Sequence, residues 1–276
     1  MGRIAPPIYL TAPAINPYPY GLFSVANMPD ATGRWEMGVE WEPVAGERAE
    51  LRPHECVDEY TPDVVLRDGE DTLEGVPFVV VGSYTCKAAS RAMDEAEERA
   101  RLHLAAGEER AVEYAIATGT QGNLPSLQGA TDLTPTAGTA VSATDGVGLL
   151  EAALAKDYAS VATIHAPRLL GTALSAAKIA SRHGQRLETL IGNYVVAGGG
   201  YDLANVGPDG EAPAAGSAWL YGTGRPTIRR GEVFVQPDEN KYLKRDTNDV
   251  AIMAQRTYLV TWEGPTVAVL VDAPGA

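Results

Sequence analysis

Hydrophobic and polar positions in this 276-residue chain change period repeatedly, and one segment keeps a helical period far longer than the rest. It is "RAMDEAEERARLHLAAGEERAVEYAIATG", Arg91 to Gly119, which at ~1.5 Å per residue spans roughly 40 Å. Its inward seam is Ala89, Met93, Ala96, Ala100, Leu104, Gly107, Ala111, Ala115 and Thr118, at steps of three or four. Nearly all are small, so another backbone can approach closely along the rod. The large a/d residues of a zipper are missing. Glu95, Glu98, Arg99, Glu109 and Arg110 fall on the opposite, solvated face. Gly107 costs about 1 kcal/mol relative to Ala in a helix interior. The pattern reads as one helix, with Gly107 the place for any kink.

Ahead of the rod, residues 1–33 carry Pro6, Pro7, Pro13, Pro17, Pro19 and Pro29 among Ile8, Tyr9, Leu10, Tyr18, Tyr20, Leu22 and Phe23. Few backbone donors and stiff extended geometry make this an arm that grips a surface. "WEMGVEWEPV", from Trp35, alternates as a strand. Residues 46–75 are polar, with "DVVL" the one short strand candidate, and "VPFVVVGSYTC" to Cys86 reads as a buried strand. Two strands around a long polar excursion predict an extended hairpin or loop.

After Gly119 comes a low-hydrophobicity stretch that reads as a flexible break. Residues 147–158 are helical and 160–166 a strand; 167–184 read as a helix with Pro167 at its first position. "TLIGNYVVAGGGY" is a strand entering a glycine turn. The last sixty residues return to strands: "AWLYGTG", "PTIRRGEVFVQ", "AIMAQRTYLVTW" and "TVAVLVD". No internal repeat is present.

Composition narrows the function classes. A hydrophobic share of 45% belongs to a folded chain. Asp and Glu number 36 against 22 Lys and Arg, a net charge of −14, which argues against a reader of nucleic-acid sequence. Cys56 and Cys86 read as two reduced thiols. No apolar run approaches the ~18 residues of a membrane span, and the first residues lack the order of a signal peptide.

Candidate chemistry is sparse. "VVAGGGYDLANVG" and "GTGRP" match neither a dinucleotide fingerprint nor a phosphate loop. His54, His103, His165 and His183 have no metal-ligand spacing. His165, with Asp157 and Ser160 upstream, lacks the nucleophile turn of a hydrolase, and reads as a strand-end residue making a backbone hydrogen bond. "DENKYLKRDTND", 238–249, reads as a solvated loop. No catalytic residue, cofactor site or metal ligand is assigned.

The order of parts resembles the major capsid proteins of tailed bacteriophages with the Hong Kong 97-type fold, a fold shared with encapsulin shells. "ASVATIHAPRLLGTALSAAKIASRHGQRLETLIGNYVVAGGGY" is similar to that family's lobe near the symmetry axes. "AWLYGTGRPTIRRGEVFVQ" and the closing strands are similar to its C-terminal run, with Asn248, Ala251, Ala254 and Arg256 in the Asn-x-x-Ala-x-x-Ala-x-Arg-like places. "YGLFSV" with "GVEWEP" further resembles structural proteins of phages infecting actinobacteria.

The resemblance implies an α+β chain with an arm (1–33), an extended loop and strand (34–82), a spine helix with a peripheral sheet domain (83–146), an axial α/β domain (147–215) and C-terminal strands returning to the peripheral domain (216–276). It implies a non-enzymatic subunit forming pentamers and hexamers in an icosahedral head around double-stranded DNA. The chain is short for the family, which implies a separate scaffold protein. A portal and DNA held without sequence-specific contact are the other expected partners; a decoration protein is left open, and no membrane is involved. The place implied is the virion capsid, after synthesis in the host cytoplasm. No residue matches the Lys–Asn cross-linking motif of some members. Tyr18, Tyr20 and Phe23 in the arm and Trp41 in the hairpin are the expected interface residues, and deletion of 1–23 is expected to leave a soluble fold but weaken assembly. The alternatives are an encapsulin-type compartment and an unrelated hydrolase using a carboxylate or His165.

Overall fold

The computed structural model describes residues 16–44, 72–87, 93–236, 243–244 and 249–273. The "DVVL" segment, His54, Cys56, Asn248, the first anchors of the arm and most of the 238–249 loop lie outside them.

In chain order the first strands are β1 (Val39–Trp41), β2 (Leu73–Gly75) and β3 (Phe78–Lys87). The long helix α1 (Met93–Thr118), β4 (Thr131–Asp132), α2 (Ala143–Asp157) and β5 (Ala162–Pro167) follow. Next are α3 (Arg168–Ala176), β6 (Ala180–His183), β7 (Arg186–Thr189), β8 (Tyr194–Gly198) and α4 (Gly199–Leu203). The chain closes with β9 (Ser217–Gly224), β10 (Thr227–Arg230), β11 (Phe234–Val235), β12 (Leu243–Lys244), β13 (Asp249–Thr261) and β14 (Val267–Asp272).

These strands build two main sheets and one small hairpin. β13 is the centre of a five-stranded sheet, pairing antiparallel with β3 along ten residues and with β10, β11 and β12. The other sheet has seven strands in the order β4-β14-β9-β5-β8-β7-β6. The C-terminal strands therefore do not travel together: β10 to β13 join one sheet, β9 and β14 the other. β1 and β2 form the separate antiparallel pair. One core lies between α1 and the five-stranded sheet, around Leu104, Ile116, Ile252 and Tyr258. The second lies under α2 and α3 against the seven-stranded sheet, around Leu150, Leu154, Leu170 and Leu220.

The spine runs unbroken through Gly107, whose missing side chain faces open space. Of the expected seam, Ala96, Ala100, Leu104, Ala115 and Thr118 are buried, but Gly107 is turned outward, Val112 and Ile116 are buried as well, and Ala89 lies outside the described residues. The backbone nearest to it belongs to Gly82 of β3 and Gly200 of α4: a Cβ on Gly82 would overlap the Leu104 backbone, and one on Gly200 the Arg110 carbonyl.

Four sequence expectations are corrected. Trp35 does not begin a strand; Trp35–Met37 is a 3₁₀ turn that buries the indole, and Gly38 at φ +103° turns the chain into β1. The helix expected over 167–184 ends at Ala176. There Lys178 takes φ +59°, its N–H donating to the Ser175 carbonyl and the Ile179 N–H to that of Leu174. This is a Schellman cap built on lysine where glycine is usual, which hid the stop from the sequence. α2 begins at Ala143, earlier than expected, because Ser142 caps it and accepts from the Asp145 N–H. The expected flexible break after Gly119 is packed down instead. Asn123 and Leu127 are buried, Asn123 donates to the Ala115 carbonyl, and the Thr131, Leu133 and Val141 amides donate to carbonyls at 266, 268 and 270.

Candidate functional site

The arm crosses the seam between the two cores. Leu22 and Val25 are fully buried in the α1 core, and Tyr20 packs against the α2–α3 core. A strap of this kind has no sheet of its own to satisfy its backbone, so side chains of the body must do it. The Leu22 N–H donates to Glu113 Oε1 at 3.0 Å and the Phe23 N–H to Glu109 Oε1 at 2.8 Å. Arg168 donates to the Pro19 carbonyl, Arg186 to that of Ser24 and Arg225 to that of Val25. The Ala197 N–H of β8 donates to the Tyr20 carbonyl, and Asn27 bridges to Thr227. Tyr20 itself sits at φ +70°, and a Cβ on Gly21 would strike the Glu109 carboxylate.

At the centre of this grip is Glu113, a carboxylate with 0% exposure. Besides Leu22, its Oε2 accepts from the Tyr18 hydroxyl at 2.7 Å and from the Gly200 N–H at 2.9 Å. Tyr18 accepts in turn from the Gly199 N–H, and the Arg168 guanidinium stands 4.6 Å from its ring centre. One acid on the spine therefore ties the arm to the start of α4. Burial raises the Glu113 carboxyl above its ordinary range, against the pull of those hydrogen bonds and of Arg168. Burial also pushes Glu109 up to about 7; the Phe23 N–H opposes it, and the charges of Glu113 and Glu108 add to it. Tyr18 is raised by burial and by the Glu113 charge.

The expected solvated face is thus half right. Glu95, Glu98 and Arg110 are exposed, but Glu109 is partly buried under the arm. Glu113 went unread, although it stands alone between Val112 and Ile116 in "AVEYAIA", an apolar run where an acid needs partners. Tyr18, Tyr20 and Phe23, expected at an interface, also have a core of their own. Each is partly buried against its own body, Phe23 stacking on Tyr258 with centroids 6.1 Å apart. Trp41, also partly buried, lines a cleft of about 700 Å³ with Arg229 and Trp262.

This architecture has known counterparts. The capsid of Ralstonia phage GP4 aligns with a TM-score of 0.57 over 98% of this chain and 96% of that one, at 10% identity. The capsid of an empty GTA particle aligns at 0.54 over 99% and 96%, at 12% identity. A chain of Microbacterium phage Oxtober96 aligns at 0.53 over 95% of both, at 15% identity. The fold is that of phage capsid subunits. No family model and no curated protein matches the sequence itself.

Within this capsid fold His165 has a structural place. It lies inside β5, not at its end, and is 1% exposed. Its bonds are made by the side chain: Nδ1 lies 2.7 Å from the Tyr201 hydroxyl and Nε2 2.8 Å from Thr223 Oγ1. Thr223 gives its own proton to the Gly224 carbonyl, so it must accept from His165. The proton is then on Nε2, and Tyr201 donates to Nδ1. Burial pushes the imidazole down to about 3 and keeps it neutral. Neither Asp157 nor Ser160 bonds to it, and its partners are as buried as it is. A hydrolase centred on His165 has no access to solvent. Arg256 of the C-terminal motif donates to Glu108 at 2.9 Å, which also accepts from the Tyr258 hydroxyl and pins β13 to the spine. Among the described residues no His, Cys, Asp or Glu group could hold a metal ion, and no helix is long and apolar enough to cross a membrane. Cys86 is a free, partly exposed thiol.

Proposed function

We propose that this chain is the major shell subunit of a tailed bacteriophage, assembling as pentamers and hexamers into an icosahedral head around double-stranded DNA. The observation that carries it is end-to-end correspondence: the fold aligns over nearly the whole length of this chain and of phage capsid chains. A partial match could reflect one shared lobe; this one spans both chains almost end to end.

The proposed division follows the resemblance: arm, extended loop, spine with peripheral sheet, and axial lobe, with the closing strands shared between sheets. A separate scaffold protein and a portal are the partners, and the net charge of −14 suits a wall that does not adhere to its DNA. The subunit is made in the host cytoplasm and ends in the virion. Trp41 touches a neighbour directly, whereas Tyr18, Tyr20 and Phe23 affect assembly by fixing the arm. Negative-stain microscopy of the protein, alone and with its scaffold, tests the proposal. Closed particles are expected; a strict monomer under every condition contradicts it.

A further inference from the structure

Charge along the seven-stranded lobe is sorted by sequence. Residues 158–187 contain Arg168, Lys178, Arg182 and Arg186 but no Asp or Glu. Residues 188–224 contain Glu188, Asp202, Asp209 and Glu211 but no Lys or Arg. In a chain with 36 acids and 22 bases, thirty residues without a carboxylate are a marked departure.

The fold turns the two blocks into complementary shapes. The basic block forms a cleft of about 420 Å³ at the β6 edge of the sheet, where Arg168 and Arg182 flank Tyr20, with the Thr172 and Ser175 hydroxyls on its wall. Arg182 stands over the Tyr20 ring, 5.5 Å from its centre. Arg182 meets no carboxylate among the described residues, while the charge of Arg168 acts on the buried Glu113 and on Glu109. The acidic block contributes a tight turn before β9. The Gly207 N–H donates to the Glu211 carbonyl, Gly210 takes φ +84° and donates to the Gly207 carbonyl, and the Glu211 N–H donates to Asp209 Oδ1. Asp209 and Glu211 are exposed on it. The Pro208 carbonyl accepts from the Gly129 N–H, which holds the turn on the β4 side of the sheet, away from β6. At the usual strand spacing β9 and β6 are about 19 Å apart.

A rigid anionic knob on one side and a concave cationic cleft on the other cannot satisfy each other within one chain. They can between copies related by rotation, where a head-to-tail contact closes a ring. We propose that the Asp209–Glu211 turn of one copy enters the Arg168–Arg182 cleft of the next. Guanidinium forks match carboxylates in geometry and charge. The contact rests on the shell reading above and names the partner of the lobe: a second copy of this chain.

Charge reversal tests it. Arg182→Glu and Glu211→Arg change exposed side chains; the first gives up the contact of Arg182 with the Tyr20 ring, and circular dichroism checks that each variant is folded. Each single variant is expected to lower the yield of particles at least tenfold, by placing like charges across the contact. The double variant R182E/E211R is expected to return the yield to within about twofold of the parent. Single variants that assemble like the parent, or a double variant no better than the singles, overturn the contact while the parent's particles uphold the shell reading. Loss of DNA retention with normal particle yield in R182E also overturns it, by making the cleft a polyanion site. A parent that forms no particles removes both readings.

Discussion

The Tyr18 hydroxyl donates a 2.7 Å hydrogen bond to Glu113 Oε2 across 95 positions of sequence, joining the arm to the C-terminal part of the spine. Glu113 also accepts from two backbone amides, Leu22 and Gly200. Replacing it with leucine keeps the volume and strands three buried donors, each worth about 1–3 kcal/mol when left unpaired. Glu113→Leu is expected to lower stability by about 3 kcal/mol or more in urea unfolding, and Tyr18→Phe by about 1 kcal/mol. Equal stabilities for the parent and Glu113→Leu would show that the arm is not held here.

Acid should tighten the same grip at Glu109. Its folded pKa, about 7, lies above the ordinary value of 4.5, so the folded state binds the extra proton. The stabilising contribution is full below the unfolded value and is lost as pH rises through about 7. His165 works the other way, because its folded value is depressed to about 3, so its contribution declines as pH falls below 6.5. The two are separated by Glu109→Gln, which still accepts from Phe23. The melting temperature of the parent relative to this variant is expected to rise between pH 7.5 and pH 5. A flat or falling difference contradicts the assignment.

Two glycines beside the spine should respond in opposite directions. Gly107→Ala adds a methyl to open space in a helix interior and is expected to add about 1 kcal/mol. Gly82→Ala drives a Cβ into the Leu104 backbone, and overpacking against a rigid partner costs about 1–3 kcal/mol or more. Denaturant midpoints of the two variants, measured against the parent, check both signs.

Removing residues 1–23 is expected to harm the fold itself. The deletion takes Leu22 from the core and uncovers Glu113. Loss of one buried leucine side chain alone costs about 2–5 kcal/mol. The truncated protein is expected to aggregate or to melt well below the parent in circular dichroism. A truncated protein as stable as the parent contradicts the strap.

The spine was legible because helical period and small residues agree over seven turns, and Ala96, Ala100, Leu104 and Ala115 pack as read, whereas Gly107 faces open space. The closing strands were legible from their β-branched runs. What the sequence hid has a common physical form: local signals overridden by distant partners. Lys178 stops α3 without the glycine that usually marks such a stop. Residues 119–146 look soft because their anchors are backbone bonds to β14, about 130 positions away. Glu113 looks like one acid among many until the arm, nearly a hundred residues earlier, folds over it.

The most direct measurement is a cryo-electron microscopy reconstruction of particles formed by this protein with its scaffold. Density for the spine, both sheets and the arm in every subunit of a closed shell of pentamers and hexamers is the expected result. A 29.1 kDa monomer at every concentration and salt, with no shell formed, would contradict the account.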